Sequence, residues 1–186
     1  MTPALEAAYA EPHRRYHTRA HVEACLEALA AVPALTEADR QVLTWALWWH
    51  DAVYYPVRAD NEAASADLAR RDLPALGATP AQVREVARLI LLTKGHAVEP
   101  GDRLGALMVS IDLSILGAEP AAYDAYAAAV RAEYAHVPEP AFRAGRARVL
   151  QAFLDAPTLY ADPSFRDRLE TRARANLARE IAALTT

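Results

Sequence analysis

Apolar residues return at intervals of three and four along almost the whole chain. No stretch alternates with period two between glycine or asparagine turns, so the pattern predicts helices and no strands. Val22, Cys25, Leu26, Leu29 and Val32 make one stripe, with His21 at its edge. Thr36 suits the cap of a helix running through Val42, Leu43, Ala46 and Leu47 to His50-Asp51. With Trp45, Trp48 and Trp49 that helix is apolar nearly all round, which predicts a central position with neighbours on several sides. Pro56 breaks the run, leaving AVYYPVRAD non-helical. Asp60 or Asn61 caps the next helix, which ends before Pro74. Thr79-Pro80-Ala81-Gln82 combines a capping hydroxyl, a proline at the first helical position and a glutamine that closes a capping box. The helix it opens carries Val83, Val86, Ala87, Ile90 and Leu91 and stops at Gly95. Asp102 caps a helix with Leu104, Leu107, Met108, Ile111 and Ile115 inward, closed by Gly117. Pro120, Pro140 and Asp162-Pro163 open three more, with Tyr123 to Tyr134, then Phe142, Val149, Leu150 and Phe153, then Phe165, Leu169, Ala173, Leu177 and Ile181 facing in. The expectation is an all-α chain of about eight helices, without repeats or long linkers, forming a single domain over residues 1–186.

A chain of 186 residues with 53% hydrophobic and 24% charged residues fits that expectation and excludes disordered, collagen-like and membrane-spanning classes. Lys+Arg number 20 and Asp+Glu 24, a net charge of −4, and there is no basic run. The long-range attraction that polymeric nucleic acids and anionic membranes rely on is therefore missing, and neither is expected as a partner. An anionic ligand must instead be held by local groups. One cysteine, Cys25, closes no intrachain disulfide and makes no cysteine-based zinc site. The first residues, MTPALEAAYAEPHRRYH, lack a basic start followed by an apolar run, so no export signal is expected and the expected location is cytoplasmic.

The informative positions are ionisable residues inside apolar stripes. His50 follows Leu43, Ala46 and Leu47; Asp51 lies over Leu47 and Trp48; Asp112 falls between Ile111 and Ile115 on an inward face. His17 and His21, four apart, are expected on one helical face. A carboxylate buried without compensation costs several kcal/mol or takes up a proton, so these acids need a cation. Lys94 is the only lysine, and the arginines are read as lying mostly on outward faces of later helices. A divalent metal ion held by His21, His50, Asp51 and Asp112 satisfies all of them, and the mixed donors admit Mn, Mg, Fe, Ni, Zn or Co. Each piece also has a plain reading. His-Asp is common at a helix end, Asp112 serves equally as an interior cap, and His17 and His21 as hydrogen-bonded histidines; the conjunction points to metal.

The ordered set His21, His50-Asp51, Asp112 resembles that of the HD-domain metal-dependent phosphohydrolases. YHTRAH, Tyr16 to His21, is similar to a stretch of the cyclic-nucleotide phosphodiesterases, as are Ile111-Asp112-Leu113-Ser114 and Thr93-Lys94-Gly95-His96. Over most of its length the chain looks closest to a compact bacterial group of predicted HD-superfamily phosphohydrolases, on the strength of HDAVYYP, DNEAASA, SIDLSILGA and the Tyr123–Tyr134 stretch with VRAEY. It departs from the phosphodiesterases in being far shorter and in having AVYYP where they show a further histidine after His-Asp. Their second-metal arrangement and nucleotide pocket therefore do not carry over.

The resemblance implies an HD-type helical bundle and metal-assisted hydrolysis of a phosphate ester of a nucleotide or other small phosphorylated metabolite. In that reading His17 is the general acid and Asp51 a catalytic metal ligand that bridges a second ion if one binds. Glu62 and Asp60 are candidates for a second metal or its waters, though a helix start already accounts for acids there. Arg58, His96 and Tyr54 are candidates for substrate contact, with a solvent turn and a core-covering loop as their plain readings, and His13 and His136 are read as solvated. Two other functions compete. A non-catalytic metal- or nucleotide-binding helical module keeps the ligands without turnover, and a metal-free scaffold leaves Asp51 and Asp112 needing other partners.

Overall fold

A computed structural model describes residues 2–186. They form nine α-helices: α1 (Pro3–Tyr9), α2 (Arg19–Ala30), α3 (Glu37–Trp49), α4 (Asn61–Asp72), α5 (Pro80–Leu92), α6 (Arg103–Asp112), α7 (Pro120–Glu133), α8 (Glu139–Asp155) and α9 (Pro163–Thr185). Short 3-10 turns cover Leu73–Leu76 and Leu113–Gly117, and the described residues contain no strand. Each helix expected from periodicity is present. The addition is α1, which the Thr2 side chain caps and which buries Leu5 and Tyr9. No single helix among the described residues is long and apolar enough to cross a membrane. The chain divides into two compact units, one ending at Asp112 and the other spanning Leu113–Thr186.

In the first unit α3 packs against α2, α4, α5 and α6, as its all-round apolar surface predicts. Leu43, Ala46 and Leu47 are wholly buried. The capping box of α5 forms: Thr79 Oγ1 accepts from the Gln82 amide, and Gln82 Oε1 accepts from the Thr79 amide. One Asp102 oxygen accepts from the Gly105 amide at the start of α6, while the carboxylate also pairs with Arg88 of α5. A Cβ at Gly105 would run into the Asp102 carboxylate and Leu92, so a larger residue there would have to displace the cap that seats α6 against α5. Close seating of the α6 start sets where Asp112, its last residue, ends up.

The segment after α3 is sewn to α4. Asn61 accepts from the Tyr55 amide and donates to the Tyr55 carbonyl, and Ser65 does the same with Val53. Asp60 occupies the N-cap position of α4, but its carboxylate is drawn to Arg58 instead of the helix amides. His17 departs from expectation as well. Thr18 is the N-cap of α2, so His17 lies in the bend before the helix and shares no helical face with His21.

The second unit holds α7, α8, α9 and the 3-10 turn Leu113–Gly117. Asn176, buried on α9, donates to the carbonyls of Leu116 and Ala118, satisfying the end of that turn. Arg146 and Tyr123 both bond Glu180, so this unit buries its charge as a pair with a hydroxyl donor. Val149, expected inward, is 51% exposed, because α8 turns Phe142 and Leu150 to the interior and leaves Val149 between faces. None of the candidate site residues lies in this unit.

Candidate metal centre

His50 is the residue on which α3 ends, and the ring is buried. Its Nδ1 lies 2.9 Å from the Leu47 carbonyl oxygen. A carbonyl only accepts, so Nδ1 carries the hydrogen and Nε2 is the atom turned toward the interior. His21, in the first turn of α2, points its own Nε2 at the same place, 3.2 Å from His50 Nε2.

The two carboxylates close on these nitrogens. Asp51 Oδ2 lies 2.9 Å from His50 Nε2 and 3.7 Å from His21 Nε2. Asp112 Oδ1 lies 3.2 Å from His21 Nε2 and 3.4 Å from His50 Nε2. Donors bound to one metal at about 2.0–2.2 Å sit roughly 3.0–3.6 Å apart. These spacings lie close to that range, and His21, His50 and Asp51 form one group that could hold a metal ion, with Asp112 set against the same two nitrogens. Asp51 and Asp112 keep 18% and 15% of their side-chain exposure, which leaves the cluster open on their side.

Electrostatics show the same demand for a cation. Burial opposes charge on the His50 ring, yet the Asp51 charge and the hydrogen bonds to Asp112 and Asp51 outweigh it and hold its pKa well above the usual imidazole value. Burial likewise opposes charge on the acids. Asp51 is nonetheless held well below the carboxylate range by the charges of His50 and His17, and Asp112 by hydrogen bonds from His21, His50 and His96. A proton on His50 thus competes with a metal ion for the same place between the acids. Linkage fixes the signs. The stabilisation from His50 is present at low pH and lost as pH rises through its raised pKa, and that from the acids is lost only as pH falls through their lowered ones. Metal binding must displace the His50 proton, so calorimetric titration with Mn²⁺ is expected to show affinity rising about tenfold per pH unit below the His50 pKa. An affinity independent of pH over roughly pH 6–8 would contradict this competition.

Around the cluster the candidate residues divide. His17 stacks its ring on Tyr54 with centroids 3.9 Å apart, and its ring centroid lies 6.1 Å from that of His21. It is beside the ligands without being one of the closely spaced donors. Tyr54, expected to touch substrate, is buried, and its ring is engaged in the His17 stack, so it fixes His17. His96 adopts a left-handed backbone, φ 52°, that lets its amide donate to the Leu92 carbonyl and end α5. That turn puts its Nε2 3.2 Å from Asp112 Oδ2, so its contact is with the carboxylate opposite His21 and His50.

Arg58 and Asp60 are both exposed and hold each other through two bonds of 2.9 Å, which occupies the guanidinium fork and the acid alike. Among the described residues neither Asp60 nor Glu62 joins a group able to hold a metal. Cys25 packs 3.8 Å from the His21 ring nitrogens and makes, with His21 and Asp112, a second such group; burial pushes its thiol pKa far up, which keeps it neutral.

Two side chains lie elsewhere than their residue types suggested. His13 is only partly solvated: its Nε2 is 2.7 Å from the Tyr54 carbonyl and its ring stacks on Tyr55. Arg14 is buried, against the expectation that arginines face outward, and its guanidinium donates to the carbonyls of His17, Asp51 and Ala52. Both sit in an irregular segment, where no periodicity marks which side chains turn inward. Comparison with family models, with curated proteins and with solved structures returns no match for this chain.

Proposed function

We propose that this chain is a metal-dependent phosphohydrolase of the HD type, cleaving a phosphate ester of a nucleotide or another small phosphorylated metabolite. The observation that carries the reading is the meeting of His21, His50, Asp51 and Asp112, drawn from α2, the end of α3 and the end of α6, with the nitrogen–oxygen distances given above. That ordered set is the one whose resemblance to HD phosphohydrolases is legible in the sequence. A divalent ion bound there supplies Lewis acidity, lowering the pKa of water and drawing charge from a phosphoryl oxygen.

The residues of the chain do the rest. His21 and His50 would bind the ion through their Nε2 atoms, and the Leu47 carbonyl fixes the His50 tautomer. Asp51 and Asp112 supply negative charge and leave the open side for the substrate. His96 restrains the second oxygen of Asp112. In this reading His17, stacked on Tyr54 and acting electrostatically on Asp51, is the general acid that protonates the departing oxygen.

The test is a panel of phosphomonoesters, phosphodiesters, nucleotides and pyrophosphates offered with Mn, Mg, Fe, Ni, Zn or Co. The expected outcome is hydrolysis of at least one class that vanishes on chelation and in His50→Ala. Metal bound in full with no turnover across the panel would favour a non-catalytic binding module.

A further inference from the structure

Arg14 carries a charge that the proposed chemistry does not use, and it is among the most deeply buried polar side chains of the first unit. Its Nη1 donates to the Asp51 carbonyl at 2.7 Å and to the His17 carbonyl at 3.0 Å, its Nη2 to the Ala52 carbonyl at 3.1 Å, and its Nε to Glu11 at 3.0 Å. The guanidinium also lies 5.2 Å and 5.7 Å from the ring centroids of Tyr9 and Tyr54. One nitrogen therefore bonds the backbone of both a metal-ligand residue and the acid candidate.

His17 precedes the N-cap of α2, so the helix hydrogen-bond ladder does not set its position. Asp51 follows the last residues of α3, where carbonyls lose their intrahelical partners and a cation is favoured. A planar guanidinium with several donors in fixed directions reaches all three carbonyls at once, which a lysine ammonium on a flexible stem does not reproduce. Glu11 completes the clamp by neutralising the buried charge, while its other oxygen accepts from Tyr55.

We propose that Arg14 is a positioning residue that sets the spacing between the His17 imidazole and the Asp51 carboxylate by holding their two backbone carbonyls on one guanidinium. The catalytic consequence rests on the phosphohydrolase reading; the structural consequence does not.

Arg14→Gln, His17→Ala, the double variant and Glu11→Gln test it, each loaded with Zn²⁺ for NMR and with the most active metal for kinetics. In the wild type the His17 ring protons carry a ring-current shift from Tyr54, and in folded Arg14→Gln that shift is expected to collapse. Metal affinity is expected to stay within about threefold, and kcat on a phosphoester with a poor leaving group to fall about 30- to 100-fold with KM little changed, the scale of a displaced catalytic group. An aryl ester whose leaving group needs no proton is expected to lose much less. The double variant should be no slower than His17→Ala alone, since both changes remove one function.

An unchanged His17 shift in folded Arg14→Gln, or additive losses in the double variant, would overturn the proposal. Should Arg14→Gln fail to fold, Glu11→Gln keeps the guanidinium and its carbonyl bonds but removes the carboxylate charge that orients it through Nε. It is expected to show the same leaving-group-dependent loss at about three- to tenfold, and wild-type behaviour there would overturn the proposal too. If the wild type hydrolyses nothing, the NMR shift still decides: its collapse supports the positioning role and leaves only the phosphohydrolase reading to fall, and its persistence overturns the positioning role itself.

Discussion

Asp51→Asn protein, purified without chelator, is expected to come off the column without the metal that the wild type retains, and to lose hydrolysis with it. Asp51 Oδ2 is the carboxylate oxygen nearest His50 Nε2, so an amide in its place keeps the shape and removes the charge that a cation answers. Affinity should fall by more than the roughly 10- to 100-fold that losing an outer-shell partner brings, because here a ligand itself is lost. Asp112→Asn should behave in the same way, since Asp112 Oδ1 faces the same two nitrogens. The His50 ring sharpens the test. Its raised pKa comes largely from Asp51, so the variant lowers it and weakens proton competition for the site. Metal lost in spite of that easier deprotonation can only reflect loss of the ligand. Asp60→Asn and Glu62→Gln serve as controls, with metal content unchanged, because Asp60 is spent on Arg58 and Glu62 joins no ligand group. Metal content by elemental analysis checks all four; retention by Asp51→Asn would remove the site from the account.

His17→Ala is expected to separate binding from turnover. The ring touches Tyr54 and stands near Asp51 but outside the set of closely spaced donors, so metal content should match the wild type. Loss of a general acid is worth about 100- to 10,000-fold, so kcat on a substrate with a poor leaving group should fall within that range while KM holds. Metal lost from this variant would make His17 a ligand instead. A rate unchanged on every substrate would mean that another group delivers the proton.

The helices were legible because burial on one face imposes a period of 3.6 on the residues that fill it, and nearly every helix here obeys it. The four clustered side chains were legible for the converse reason. His50, Asp51 and Asp112 interrupt apolar stripes, and charge is not placed there without a partner. Residues in irregular segments are less legible. His17 looked helical through its spacing from His21, yet the N-cap falls between them. Arg14 and His13 turn inward through hydrogen bonds to carbonyls far along the chain, at Asp51, Ala52 and Tyr54, and a backbone carbonyl leaves no mark in a sequence. Arg58, Asp60 and Tyr54 had the right chemistry for a ligand site, but local partners already take them up: Arg58 and Asp60 hold each other, and Tyr54 holds His17. His96 lies between these cases, since its left-handed turn is rare for a residue with a Cβ and aims it at Asp112.

The most direct test of the central claim is anomalous diffraction, at the manganese edge, from crystals of the protein grown with Mn²⁺. The account predicts a strong peak within about 2.3 Å of Nε2 of His21, Nε2 of His50 and a carboxylate oxygen each from Asp51 and Asp112. A peak bound elsewhere, or these four side chains turned away from one another around no ion, would contradict it.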